Sequence, residues 1–167
     1  MSFPRLPLRL YFFALFALCA GEVCFGAIYL QGMLGIEPCP MCIMQRYALL
    51  GVGIVALAGA LHNRAGILYG ALVTLVALAG GGVAARQSWL QLYPPNTMSC
   101  GPGLEFMLQS FPLTEVLPKL FRGEGDCSAV DWTLFGLSIA NWGLITFVAI
   151  AIVTPWVVWL ARRTGRG

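Results

Sequence analysis

GILYGALVTLVALAGGGVAA, residues 66–85, runs for twenty positions without an Asp, Glu, Lys or Arg. A helix rises about 1.5 Å per residue, so about 20 apolar residues cross a hydrocarbon layer about 30 Å thick. The stretch therefore reads as a membrane span. Three similar runs flank it. Trp132 to Ala161 carries none of these four residue types, Tyr11 to Leu30 only Glu22, and Ile43 to Leu61 only Arg46. The last run is longer than one span needs, so its first part is assigned to the loop before it. Spans are expected at approximately 10–30, 43–61, 66–86 and 141–161, with outer loops at approximately 31–42 and 87–140. The first run exceeds the about 7–15 apolar residues of a cleaved leader and is read as a span.

Composition points the same way. Of 167 residues, 59% are hydrophobic and 10% charged, against about 25% charged in soluble domains. Mean hydropathy is +0.80. Lipid-facing backbone must satisfy its own hydrogen bonds, which helices do within one segment. The expected fold class is an all-α membrane protein, one domain over residues 1–167 built as a four-transmembrane-helix bundle.

Charge sets the expected orientation. Four spans put both termini on one side, together with Arg5, Arg9, Arg64, Arg162, Arg163 and Arg166 and no acidic residue. Glu37, Glu105, Glu115, Glu124, Asp126 and Asp131 fall on the other side. Lys and Arg in short loops stay cytoplasmic, so the termini are expected inside. The net charge of +3 then follows from topology and requires no nucleic acid.

Of six cysteines, Cys19 and Cys24 lie in the first span and read as small buried residues. Cys39, Cys42, Cys100 and Cys127 fall outside, where disulfides persist. The second outer loop is far longer than the about 12–15 residues of a simple connector, which marks it as functional or disordered. Its apolar stretch from Leu104 to Phe121, broken by Pro112 and Pro118, reads as short interfacial helical segments. Glycines at 101, 103, 123 and 125 would let Cys100 and Cys127 move relative to the bundle.

Pro38-Cys39-Pro40-Met41-Cys42 stands where the first outer loop becomes the second span. Proline favours the first helical position, so Pro40 predicts a helix start with Cys39 just before it. Cys42 then falls in the first turn, near unpaired N–H groups that favour a thiolate. Arg46, four residues on, shares its face. A cation at the membrane boundary reads as functional, by stabilising that thiolate, by donating to a carbonyl of a membrane-borne ligand, or both.

A C-x-x-C pair is also compatible with an inert staple. A zinc site is disfavoured: Cys100 and Cys127 lack knuckle spacing, and the sole histidine, His62, lies on the other side. Haem attachment would need His where Ile43 stands. Thiol–disulfide exchange through a mixed disulfide would let electrons pass between two pairs. Four cysteines allow three connectivities, which location alone does not resolve.

The order of four spans, Cys39-x-x-Cys42, Arg46, Leu90-Gln91-Leu92-Tyr93-Pro94 before Cys100, and Gly125-Asp126-Cys127 followed by Trp132 resembles the disulfide bond formation protein B (DsbB) family. The resemblance covers nearly the whole chain after the first ten residues. It implies a bacterial inner-membrane, protein-dithiol:quinone oxidoreductase. Such a protein reoxidises a periplasmic DsbA-like thioredoxin-fold partner and passes electrons to ubiquinone or menaquinone. It further implies redox disulfides Cys39–Cys42 and Cys100–Cys127, both loops being periplasmic. Cys100 would engage the partner, Cys39 would exchange with the second pair, and Cys42 and Arg46 would lie nearest the quinone. The best-known members have a quinone-linked histidine near the outer end of the third span. Here that position is Gln87, so a histidine proton carrier is absent, and Gln87 joins Arg46 as a quinone-side candidate.

Other readings compete. Disulfides could merely staple the loops of a membrane scaffold. A quinone or quinone-epoxide reductase of the vitamin K epoxide reductase type would place its C-x-x-C in a later span. Glu22 reads as protonated or paired inside the bundle, Arg86 as an interfacial anchor. Trp89, Tyr93, Trp132 and Trp142 read as an outer aromatic belt, and Trp156 and Trp159 as an inner one.

Overall fold

Small residues recur every three or four positions in the middle apolar runs, and these are the positions that become buried. On α2 (Pro40–His62) they are Val52, Gly53, Ala56, Gly59 and Ala60; on α3 (Gly66–Leu92) they are Gly70, Val73, Ala77, Gly80 and Ala84. Such spacing forms one stripe along a helix. Within lipid, apolar burial gives no net drive to association, so close backbone approach across small residues replaces it.

The computed structural model describes residues 8–62, 65–94, 130 and 132–163. α1 (Leu8–Cys24) runs on into a π-helical segment, Phe25–Met33. A short antiparallel hairpin, β1 (Thr133–Leu134) and β2 (Leu137–Ser138), precedes α4 (Ile139–Arg163). Its register pairs Thr133 with Ser138 and Leu134 with Leu137. Phe135 and Gly136, at φ 53° and 79°, form the tight reversal.

Consecutive helices pack against each other, α1 on α2, α2 on α3 and α3 on α4. They alternate in direction: the α1 start lies beside the α2 end and the α3 start, through Phe12, Gly59 and Tyr69. Between α1 and α4 there is little helix contact. Two hydrogen bonds bridge them, Tyr11 Oη to Thr154 Oγ1 at 2.7 Å and Thr146 Oγ1 to Glu22 Oε1 at 2.8 Å. Large apolar side chains face outward on every helix; Ile54, Leu75 and Ile152 are each more than 60% exposed. Water would penalise that surface and hydrocarbon does not. Among the described residues, four helices are long and apolar enough to cross a membrane.

Some expectations change. α3 continues to Leu92, past the span end expected at 86, because Gln87, Ser88 and Leu90 are buried against its neighbours. Residues 87–92, assigned to the second loop, are therefore helix. The hairpin was not expected, since two-residue strands are too short to show alternation. Cys24 is exposed rather than buried. It sits five residues, about 140° of helix, from the buried Cys19. The expected interfacial segments, Cys100 and Cys127 lie outside the described residues.

Gly80 shows how tight the stripe is. A Cβ there would stand 2.5 Å from the Phe147 ring and 2.8 Å from Ala48 Cβ. Gly80→Ala is expected to destabilise by about 1–3 kcal/mol through overpacking. Gly82→Ala, with nothing within 4 Å of the added Cβ, should leave stability unchanged or raised. Thermal unfolding midpoints in one detergent compare the two.

Candidate active site

The first turn of α2 is organised by a sulfur. Cys39 is its N-cap: its carbonyl accepts the Ile43 N–H at 3.1 Å, and its Sγ accepts the Cys42 N–H at 3.3 Å. A sulfur thus takes the role an Asp or Ser oxygen usually has at this position. Pro40 opens the helix, where a missing N–H costs nothing. The i, i+3 spacing then brings the two sulfurs to 3.0 Å. Closing them to a bond of about 2.05 Å needs roughly 1 Å of movement.

Above this dithiol lies an amide from α3. Gln87 Nε2 donates to Cys39 Sγ and to Cys42 Sγ, 3.2 Å in each case. Its carbonyl, Oε1, accepts a 2.6 Å hydrogen bond from Gln45 Nε2. Both glutamines are buried, at 2% and 6% exposure, so their mutual pairing satisfies groups that water cannot reach. They meet because each extends the buried face of its helix: Gln45 lies seven residues before Val52, with the buried Leu49 between them, and Gln87 three after Ala84.

Arg46 is held by the π-helical segment. It donates from Nη2 to the Gly26 carbonyl at 2.8 Å and from Nη1 to Gln31 Oε1 at 2.9 Å. In an α-helix, residues five apart diverge by about 140°. Bonding from i to i+5 brings them onto one face, so one guanidinium spans both. Gly26 makes the room, since a Cβ there would lie 3.2 Å from Arg46 Nε and Nη2.

A cavity of about 550 Å³ opens beside these groups. Cys39, Cys42, Gln87 and Arg46 line one side; Leu30, Phe25, Trp132 and Trp142 supply apolar wall. Phe25 meets Trp132 edge-on at 5.9 Å, and Trp142 Nε1 donates to the Leu134 carbonyl at 3.1 Å. The hairpin is pinned from below as well. Ser138 Oγ donates to Gln91 Oε1 at 2.6 Å and caps α4 by accepting the Asn141 N–H at 3.3 Å. Size and lining suit a flat, mostly apolar molecule with polar edges, within the usual range of about 300–1,000 Å³.

Of the sequence candidates, Cys39, Cys42, Arg46 and Gln87 come together at one cavity. Glu22 also lines it and is paired with Thr146. Trp132 and Trp142, read as belt residues, border it too, whereas Arg86 does not. Gln45, Gly26 and Gln31 were missed. The signal for Gln45 was present: a polar residue in register with a small-residue stripe.

The sequence profile of the family described as "Disulfide bond formation protein DsbB" matches residues 8–157. A protein named disulfide bond formation protein B from Azoarcus sp. (strain BH72) is 58% identical over 154 residues, covering 90% of this chain and 92% of its own. One of the same name from Aromatoleum aromaticum is 53% identical, covering 94% and 95%. Another from Chromobacterium violaceum is 44% identical, covering 90% and 91%.

Proposed function

The chain belongs to the DsbB family of disulfide bond formation proteins, and from that premise we propose that it is a protein-dithiol:quinone oxidoreductase. Family and fold make it a membrane oxidoreductase of disulfide bond formation. In the finer reading, a periplasmic DsbA-like thioredoxin-fold dithiol is its electron donor and ubiquinone or menaquinone its acceptor. The site lies at the outer, periplasmic end of an inner-membrane bundle whose termini are cytoplasmic.

One observation carries this reading: the Cys39–Cys42 dithiol opens directly onto an apolar cavity edged by Arg46 and Gln87. A structural staple has no use for such a cavity. Two exchanges and one oxidation make the cycle balance. The partner's two thiols reduce Cys100–Cys127 through a mixed disulfide at Cys100, and the partner leaves oxidised. The Cys100 and Cys127 thiols then reduce Cys39–Cys42 by the same exchange, beginning at Cys39. The Cys39–Cys42 dithiol finally returns to disulfide, giving two electrons and two protons to the quinone. Arg46 would hold the quinone by its polar edge, while the Gln87 amide is held on the two sulfurs.

The test uses full-length protein in lipid nanodiscs, a reduced thioredoxin-fold dithiol protein, and ubiquinone or menaquinone in turn. One quinol should form per partner dithiol oxidised. Partner oxidation that neither needs nor consumes quinone would overturn the proposal and leave the loop-staple role.

A further inference from the structure

Gln45 has no role in the cycle above, yet it is buried and its amide is committed to a single partner of functional interest. A glutamine side chain can present either its NH2 or its carbonyl in one direction, and the hydrogen-bond network decides which. For Gln87 that decision is made at Gln45. Gln45 Nε2 donates to Gln87 Oε1 at 2.6 Å, which turns the Gln87 NH2 group toward the dithiol, 3.2 Å from each sulfur. Gln45 is itself confined by α4: a Cβ on Gly143 would stand 2.5 Å from Gln45 Oε1.

We propose that Gln45 is a positioning residue that locks the Gln87 amide in its donor orientation and so makes the Cys39–Cys42 pair a stronger oxidant. Two N–H groups facing two sulfurs favour the reduced pair over the disulfide. A thiol or thiolate sulfur accepts more strongly than a disulfide sulfur, and charged acceptors bind donors most tightly. A carbonyl aimed at the sulfurs would instead repel a thiolate and so disfavour the reduced pair in its ionised form. An amide has no proton to give or take at ordinary pH, so this influence is electrostatic and distinct from acid–base chemistry.

The proposal rests on Cys39–Cys42 being the redox pair, and its test is built to fail separately from that reading. Full-length protein with Cys100→Ser and Cys127→Ser isolates the pair in nanodiscs. It is equilibrated with glutathione, two molecules reducing one disulfide and leaving as one glutathione disulfide, and scored by maleimide mass-tagging of thiols. Gln87→Met should shift the equilibrium toward disulfide by about tenfold, the scale of one hydrogen bond. This corresponds to about 30 mV for a two-electron couple. Gln45→Met should produce a shift of similar size and the same direction.

The decisive arm is the double variant. If Gln45 acts through Gln87, Gln45→Met adds nothing once Gln87→Met is present, a coupling that a general loosening of the bundle would not produce. Gln45→Glu, nearly the same shape, is read at a pH where it is ionised. It can then only accept, so it should turn the Gln87 carbonyl toward the sulfurs and shift the equilibrium at least as far as Gln45→Met. Equal effects of Gln45→Met with and without Gln87, or no effect at all, would overturn the proposal. A pair that glutathione never reduces would instead fail the underlying redox assignment.

Discussion

Cys42→Ser is expected to bring quinone-coupled turnover down to the rate without protein. A serine oxygen cannot join a disulfide, so the pair beside the cavity can neither accept electrons by exchange nor return to an oxidised state. The same variant should still oxidise about one equivalent of reduced partner, because the exchange assigned to Cys100 and Cys127 precedes the step that is blocked. A burst of partner oxidation without continuing quinol formation separates the two ends of the relay. Cys39→Ser should likewise stop turnover. Cys19→Ser, buried against Gly53 and not itself part of the cavity lining, should preserve turnover, whatever it costs in packing. Stopped-flow oxidation of the partner, followed alongside quinone absorbance, reads both phases. Full turnover by Cys42→Ser would remove the mechanism.

The four-helix architecture was legible because hydropathy and the scarcity of charge depend only on local sequence. The helix start at Pro40 was legible for the same reason, since a proline and the residue before it obey steric rules that need no partner. The π-helical segment was not. Nothing in Phe25–Met33 demands i to i+5 bonding, and its stabilising contacts come from Arg46, on another helix.

Polar residues divide in a similar way. Arg46 and Glu22 stood out because charge inside a span is costly wherever it falls. Gln45 carries no charge, and its importance appears only when its register with the stripe of α2 is set against that of α3. Gln87 was found by counting from a motif, and its contact with both sulfurs came from the extension of α3 past residue 86. Cys100 and Cys127, proposed to face the partner, lie outside the described residues.

Arg46→Met is expected to raise the KM for quinone by about 10- to 100-fold, the equivalent of one charged hydrogen bond of about 1.5–3 kcal/mol. The guanidinium is fixed at the cavity wall by the Gly26 carbonyl and Gln31 Oε1. Its planar fork can keep both anchors while offering charge to a carbonyl oxygen. A lysine ammonium is a single point charge on a flexible stem. Arg46→Lys should therefore recover the charge without the position, giving a KM between those of the wild type and Arg46→Met. Gly26→Val probes position from the other side, because its Cβ would crowd Arg46 Nε and Nη2 at 3.2 Å. It should raise KM in the same direction but less than Arg46→Met does. Initial rates against a short-chain, water-soluble quinone give KM and kcat for all three variants, and glutathione titration of the Cys39–Cys42 pair reports whether the dithiol still cycles. A pair that cycles normally beside a raised KM places Arg46 on the quinone; an unchanged KM in Arg46→Met removes it from that role.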